Sequence, residues 1–263
     1  MEITVNGHSA YAYTGGKVLD PSAPVLLFIH GAALDHSCWN LQARWFAHHG
    51  WAVLAPDLPG HGRSGGAPLA SVAAIAAWLM ALMDAAGVER AALVSHSMGS
   101  LAALEAAALS PARVSHIALL GNATPMPVSE ALLAAAKDDE RRARGMINVW
   151  SYSPRGQMGA SAVPGLWLMG MNQRLMERAG PGVLHTDLAA CNAYRDGLER
   201  AAGLACPVLI LCGGNDQMAP PKATLALAGA VPHARRVTLA GAGHALMAEQ
   251  PDAVIDALRA FLC

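Results

Sequence analysis

Residues 91–104 read Ala91-Ala92-Leu93-Val94-Ser95-His96-Ser97-Met98-Gly99-Ser100-Leu101-Ala102-Ala103-Leu104. The first five are apolar or small, as in a strand buried on both faces, and the last residues form an alanine-leucine run that favours helix. Ser97 stands at the junction. A strand that turns directly into a helix at a serine is a nucleophile elbow, and its tight turn strains the serine backbone, so the positions two before and two after must be small. Ser95 and Gly99 meet that need, although the commoner pattern has glycine at both places and Ser95 departs from it by one hydroxyl-bearing side chain. The same turn aims a helix N-terminus at the serine oxygen, where it favours the negative charge that develops during acyl transfer. A serine at a helix start also serves as a simple N-cap, so the reading depends on partners elsewhere in the chain.

A serine hydroxyl is a poor nucleophile until a base takes its proton, and the base needs an orienting carboxylate. Two later segments offer them. Asp216 follows the apolar run Leu209-Ile210-Leu211-Cys212 after Gly213-Gly214-Asn215, and His244 follows Gly241-Ala242-Gly243 just past the next strand-like run. Singly, Asp216 reads as a turn residue and His244 as a loop histidine. Together they complete a Ser, Asp, His order along the chain.

Working outward, short apolar runs alternate with longer helix-like segments, the rhythm of a mostly parallel sheet covered by helices, so the fold class is α/β. Strands are expected at Val25–Ile29, Ala52–Ala55, Ala91–Ser95, Val114–Leu120, Val208–Cys212 and Arg236–Leu239, each read as buried on both faces. Ile3–Val5 and Ala10–Tyr13 flank Asn6-Gly7, the dipeptide of a tight type I′ hairpin. Helices are expected near Trp39–His48, Ser71–Ala86, Ser97–Leu109, Pro221–Gly229 and Pro251–Leu262, the last with proline in its first turn.

Residues 124–201 break the rhythm, with helical composition and no convincing strand. The chain therefore divides into a first part of the α/β core over residues 1–123, a helical cap insertion over 124–201, and the second part of the core over 202–263. The mixed cluster Lys137-Asp138-Asp139-Glu140-Arg141-Arg142 reads as a solvated helix face. Six of the twelve methionines lie in the insertion (Met126, Met146, Met158, Met169, Met171, Met176), with Trp150 and Trp167. These side chains either fill the insertion's own core or line a pocket that adapts to apolar ligands.

The chain resembles the capped, serine-esterase type of α/β-hydrolase, from the hairpin to the final helix. Four motifs carry the resemblance: His30-Gly31-Ala32-Ala33 ending at Trp39, Asp57-Leu58-Pro59-Gly60-His61-Gly62-Arg63-Ser64, the elbow at Ser97, and Gly-x-Gly-His-x-x-x-x-Glu-x-Pro from Gly241 to Pro251. The resemblance implies an α/β-hydrolase fold with Ser97 as nucleophile, His244 as base and Asp216 as its acid. It further implies an oxyanion hole from the backbone N–H groups of Ala32 and Met98, with Trp150, Trp167 and Asn122 against substrate. His30 and His61 would brace their loops, and His96 would pack beneath the cap. Some relatives carry the triad acid near Gly121-Asn122, where Asn122 has no charge, and this favours Asp216. The segment Asp187-Leu188-Ala189-Ala190-Cys191-Asn192 resembles stretches of relatives without suggesting a mechanism, and Cys191 reads as a buried thiol.

The function this implies is hydrolysis of a carboxylic ester or thioester of a small to medium apolar acyl group, with no metal and no organic cofactor. The same triad suits a C–C bond hydrolase for ring-cleavage products or a cofactor-free perhydrolase. The former would want a cation for its acidic substrate, for which Arg155 or Arg174 is available. A ligand-binding protein on the hydrolase fold is the alternative of a different class. The hydrolase reading expects a small-molecule substrate as partner, and composition bears on the other classes. Among 263 residues, 54% are hydrophobic and 14% charged, with 18 Lys+Arg against 19 Asp+Glu, which argues against disorder and against nucleic-acid binding. The longest uncharged stretch, 64–83, holds about a dozen consecutive apolar residues, short of the roughly 20 that span a bilayer. No signal-peptide pattern opens the sequence, so a cytoplasmic location is expected. Five scattered cysteines, Cys38, Cys191, Cys206, Cys212 and Cys263, suggest neither a disulfide framework nor a zinc site.

Overall fold

The computed structural model describes residues 1–262, and Cys263 lies outside them. Eight strands form one sheet in the order β1-β2-β4-β3-β5-β6-β7-β8. β1 (Glu2–Val5) and β2 (His8–Tyr13) make the expected hairpin, with Asn6 at φ 50° and Gly7 at φ 81°, as a type I′ turn requires. β2 then pairs antiparallel with β4 (Ala52–Pro56). The remaining strands, β3 (Val25–Ile29), β5 (Ala91–His96), β6 (Val114–Leu120), β7 (Val208–Gly213) and β8 (Arg235–Leu239), extend the sheet in parallel from β4.

Successive residues of these strands feed two cores, because a strand's side chains alternate between faces. Leu27 and Ile29 of β3, Leu93 of β5 and Ile210 of β7 join one core, together with α2 (Val72–Ala85) and α3 (Met98–Leu109). Leu26, Phe28, Val94 and Leu211 join the other, together with Trp39 and with Phe46 of α1 (Asn40–Ala47). With both faces covered, the central strands are apolar or small at most positions, Ser95 and His96 of β5 and Ser115 and His116 of β6 being the polar exceptions, which is why they read as near-continuous runs. β8 differs from its expectation. It lies at the sheet edge with neither face fully covered, and Arg235 and Arg236 are exposed while the Arg236 guanidinium donates to the Pro221 carbonyl. A 3-10 turn at His36–Trp39 precedes α1.

Between β6 and β7 run α4 (Glu130–Asp138), α5 (Glu140–Ser151), α6 (Pro154–Gln157), α7 (Leu168–Arg178), α8 (Val183–Ala193) and α9 (Gly197–Ala202). No strand occurs there among the described residues. The charge cluster at 137–142 is solvated, but it straddles a helix junction rather than forming one face: the Asp139 backbone N–H closes α4 on the Ala135 carbonyl, and its carboxylate accepts the Arg142 N–H as N-cap of α5. α9 packs against α3, and Tyr194 and Ala201 belong to the core under the sheet, so this end of the segment lies with the flanking helices. Helices α4, α5, α7 and α8 share a separate cluster built on Leu132, Ile147, Met176, Leu184 and Leu188, and Ala33 from the loop after β3 is buried in it. A 3-10 turn at Pro221–Thr224 leads into α10 (Leu225–Ala230), and α11 (Leu246–Glu249) and α12 (Pro251–Leu262) close the chain. No helix among the described residues is long and apolar enough to cross a membrane.

Candidate active site

Ser97 sits between β5 and α3 at φ 50°, in the left-handed region that L-residues rarely occupy. The turn is held by bonds from Ser97 N–H to the Leu120 carbonyl at 2.9 Å and from Ser100 N–H to the Ser97 carbonyl at 2.8 Å. The small neighbours have identifiable reasons. A Cβ at Gly99 would lie 2.5 Å from the His30 carbonyl oxygen, so only glycine fits. Ser95 is tolerated because its hydroxyl donates to the Ala118 carbonyl at 2.9 Å. Met98 opens α3 with its side chain buried in the core.

Past β7, the Asp216 carboxylate is fixed at both oxygens. Oδ1 accepts the N–H groups of Met218 at 2.8 Å and Ala219 at 2.7 Å, and Oδ2 stands 2.8 Å from His244 Nδ1. Burial pushes the Asp216 carboxyl up, but the neighbouring His244 and the two N–H groups outweigh it and hold its pKa below the usual range. It is therefore ionised at neutral pH, and the His244 proton on Nδ1 leaves Nε2 free to accept. The His244 loop is tied down by Glu249, whose Oε1 accepts the Gly243 N–H at 2.7 Å and whose Oε2 accepts the Ser153 hydroxyl. Glu249 is the Glu of the Gly241-to-Pro251 motif, and it joins this loop to the helical segment.

His96 is buried beside His244, with the two rings 4.7 Å apart between centroids. Its Nε2–H donates to the His244 carbonyl at 3.0 Å, and burial followed by the nearby His244 lowers its pKa to about 3, so it stays neutral. The loop after β3 runs alongside, since a Cβ on Gly31 would come within 3.2 Å of Ser97 Cβ. His30 Nδ1–H donates to the Gly31 carbonyl at 2.8 Å, and its Nε2 accepts the Leu58 N–H at 3.1 Å, which fixes one neutral tautomer. Burial, followed by the neighbouring His61, lowers the His30 pKa to about 4. With the Gly31 carbonyl so held, the N–H of Ala32 in the same planar peptide points the opposite way.

Ser97, His244, His96 and Ala32 line one cavity of about 350 Å³, roofed by residues from α5, α7 and α8. Met126, Met171 and Met176 of the helical segment line it, as do Met218 and Met247 from outside it. Trp150 does so too. Trp167 does not, in contrast to the expectation: it precedes α7 at 68% exposure, with its ring laid over Gly170. Asn122 is buried, but its amide donates to Ser100 Oγ at 2.7 Å and accepts the Thr124 hydroxyl at 2.9 Å, so it braces the elbow instead of facing substrate. Arg155 and Arg174 are both exposed, and Arg174 pairs with Glu177 at 2.6 Å. Among the described residues lining the cavity there is no Lys, Arg, Asp or Glu. Cys38 and Cys191 line it as thiols, which burial pushes well above their ordinary pKa.

The other polar group of note is Asp35, His36 and Asp57, whose ligand-type atoms lie within 4.8 Å of one another. They are engaged within the chain. Asp57 accepts the N–H groups of His36 and Arg63, and Arg178 stands 2.5 Å from Asp35 Oδ2.

The chain is 31% identical over 252 residues to a pimeloyl-(acyl-carrier protein) methyl ester esterase of Xanthomonas campestris pv. campestris, covering 91% of this chain and 95% of that protein. It is 25% identical over 244 residues to an (E)-2-((N-methylformamido)methylene)succinate hydrolase of Acinetobacter baylyi, covering 90% and 89%. Its fold superposes on the crystal structure of an enol-lactonase from Burkholderia xenovorans with a TM-score of 0.88 at 23% identity, over 100% of this chain and 99% of that one. Residues 26–257 match the family described as the alpha/beta hydrolase family, and with four motifs, eight-stranded sheet and curated relatives in agreement, the chain belongs to it.

Proposed function

We propose that this hydrolase is a serine esterase for uncharged, apolar acyl esters or thioesters. The observation that carries the reading is His244, paired with the Asp216 carboxylate behind it at 2.8 Å, lining one cavity with Ser97 strained at φ 50°, where no Lys, Arg, Asp or Glu is among the described lining residues. Ser97 Oγ attacks the acyl carbonyl carbon as His244 Nε2 takes its proton, and the carbonyl oxygen becomes an oxyanion facing the N–H groups of Ala32 and Met98. Collapse expels the alcohol or thiol, which leaves with the proton from His244. A water then attacks the acyl-enzyme, again giving its proton to His244, and collapse returns that proton to Ser97 and frees the acid.

Helices α4 to α8 act as the cap. The absence of a cationic lining residue speaks against a carboxylate-bearing acyl group, because a buried carboxylate without a partner costs several kcal/mol. A methylene moved from water into the cavity contributes about 0.8 kcal/mol, roughly fourfold in kcat/KM if retained in the transition state. We expect kcat/KM on p-nitrophenyl esters to rise from acetyl toward medium-chain acyl groups and then stop, since the cavity is finite. Trp150→Ala should flatten this trend, while Trp167→Ala, outside the cavity, should leave it unchanged. A wild-type preference for acetyl over every longer chain, or for acyl groups with a free carboxylate, would overturn the substrate class.

A further inference from the structure

Asp187 lies on α8, in the segment that the sequence resemblance singled out without a mechanism, and its side chain is almost wholly buried. Its Oδ2 accepts two bonds from distant parts of the chain, the Ala33 N–H at 2.8 Å and His61 Nε2 at 2.8 Å. His61 in turn places Nδ1 3.0 Å from the Pro59 carbonyl. Both ring nitrogens of His61 thus face acceptors, and an imidazole satisfies two acceptors only when both nitrogens carry hydrogen. This arrangement suits an imidazole with hydrogen on both nitrogens, in contrast to His30, whose ring packs against it at 4.9 Å between centroids and whose nitrogens face one acceptor and one donor. Asp57, from the loop after β4, is the other charge facing it.

Ala33 is the second strained residue of the site, at φ 52°. A non-glycine residue keeps such a conformation only where its surroundings impose it. Here they come from the helical segment: the Ala33 methyl is buried in the cluster of α4, α5, α7 and α8, and its N–H is held by Asp187. The peptide before Ala32 is fixed by His30 and by the Leu34 N–H, both bonded to the Gly31 carbonyl. The peptide after Ala32 is fixed by Asp187.

We propose that Asp187 and protonated His61 are a positioning pair for the oxyanion hole, so that the Ala32 N–H is aligned only while α8 is seated on the loop after β3. The inference rests on the reading of Ala32 as an oxyanion donor. It makes the cap part of the rate-determining geometry as well as of the pocket. It also gives the activity an alkaline limb. Burial lowers the His61 pKa, but the Asp187 charge, its hydrogen bond and the Pro59 carbonyl outweigh this and raise it. A raised folded pKa means that the pair's contribution is complete below about 6.5, the ordinary histidine value, and is lost as pH rises through the folded value. Above that value His61 has one N–H for two acceptors, and Asp187 loses its counter-charge.

The test measures kcat and KM against pH, from 6 to 10, on p-nitrophenyl butyrate for wild type, Asp187→Asn and His61→Gln, with thermal unfolding of each. Removing an oxyanion donor outright costs about 10²–10³-fold in kcat, so misorienting one is expected to cost about tenfold. Asp187→Asn should show that loss at pH 7 with KM within about twofold. His61→Gln keeps an N–H toward Asp187 without a titrating proton, and its kcat should stay level where the wild type declines. A wild-type kcat that stays level to pH 10, or a decline of equal size in both variants, overturns the proposal, as does a normal kcat in Asp187→Asn. Fluorophosphonate labelling with peptide mass analysis reports the underlying reading separately. A Ser97 adduct beside an unaffected Asp187→Asn overturns the positioning pair alone, whereas no adduct at Ser97 overturns the nucleophile and the pair with it.

Discussion

Ser97→Ala is expected to lower kcat on the best ester by about 10⁶-fold while leaving the fold unchanged, the scale seen when a triad serine is removed from a serine protease. The two halves of this expectation have separate grounds. The Ser97 hydroxyl makes no cap bond to α3, and the elbow is held by backbone bonds of residues 97 and 100. Alanine suffers the same strain at φ 50° as serine, so the exchange adds no backbone cost. Unfolding should therefore stay within about 0.5 kcal/mol of the wild type, as for substitutions that break no structural feature. Chemistry, by contrast, loses its only acyl acceptor. A variant that keeps more than a thousandth of wild-type turnover would mean that another group attacks the carbonyl, and the lone adduct expected from a fluorophosphonate would then appear elsewhere.

The elbow was legible because local rules wrote it. A strand buried on both faces is apolar or small almost throughout, and the close approach of the His30 carbonyl leaves room only for glycine at 99. The same holds for β3, β5, β6 and β7, whose bounds the sequence predicts within a residue. For β8 the sequence predicts burial on both faces because Val237 and Leu239 look like core residues, whereas its place at the sheet edge is set by topology. Trp150 and Trp167 show the limit for the pocket. Trp150 follows Ala143 and Ile147 at helical spacing, so the buried face of α5 fixes its direction. Trp167 precedes α7, where no periodicity acts on it, and it turns to solvent.

Asp187 carries a local signal in the sequence. Leu184, Asp187, Leu188 and Cys191 follow the spacing of one buried helix face, and an acid on such a face requires partners. Those partners are 154 and 126 residues away, at Ala33 and His61, so their identity depends on the folded chain. Glu249 is the same kind of case, named by its motif but given its role only when Gly243 and Ser153 are brought to its two oxygens.

Asp216→Asn is expected to lower kcat by about 10⁴-fold with little change in KM, the scale this exchange has in serine proteases. The reason here lies in which oxygen the loop claims. The N–H groups of Met218 and Ala219 both point at Oδ1, so an asparagine settles with its amide oxygen there and its NH₂ toward His244 Nδ1. A donor facing Nδ1 selects the tautomer with hydrogen on Nε2, and that nitrogen then cannot accept the Ser97 proton. The lesion is in the tautomer and spares the cavity, which is why binding should survive. Raising pH should not restore the rate. The Asp216 pKa is held below the usual carboxylate range, so the wild-type carboxylate is ionised throughout an assay from pH 6 to 9, and the deficit should remain across it. By the same sign, the carboxylate's contribution to stability is present above about 3.9 and lost as pH falls through its lower folded value. Measuring kcat for both proteins at several pH values on one ester decides the matter. Near-normal turnover in Asp216→Asn would mean that some other acid orients His244, and a full recovery at alkaline pH would mean that the loop does not hold the amide as its two N–H bonds require.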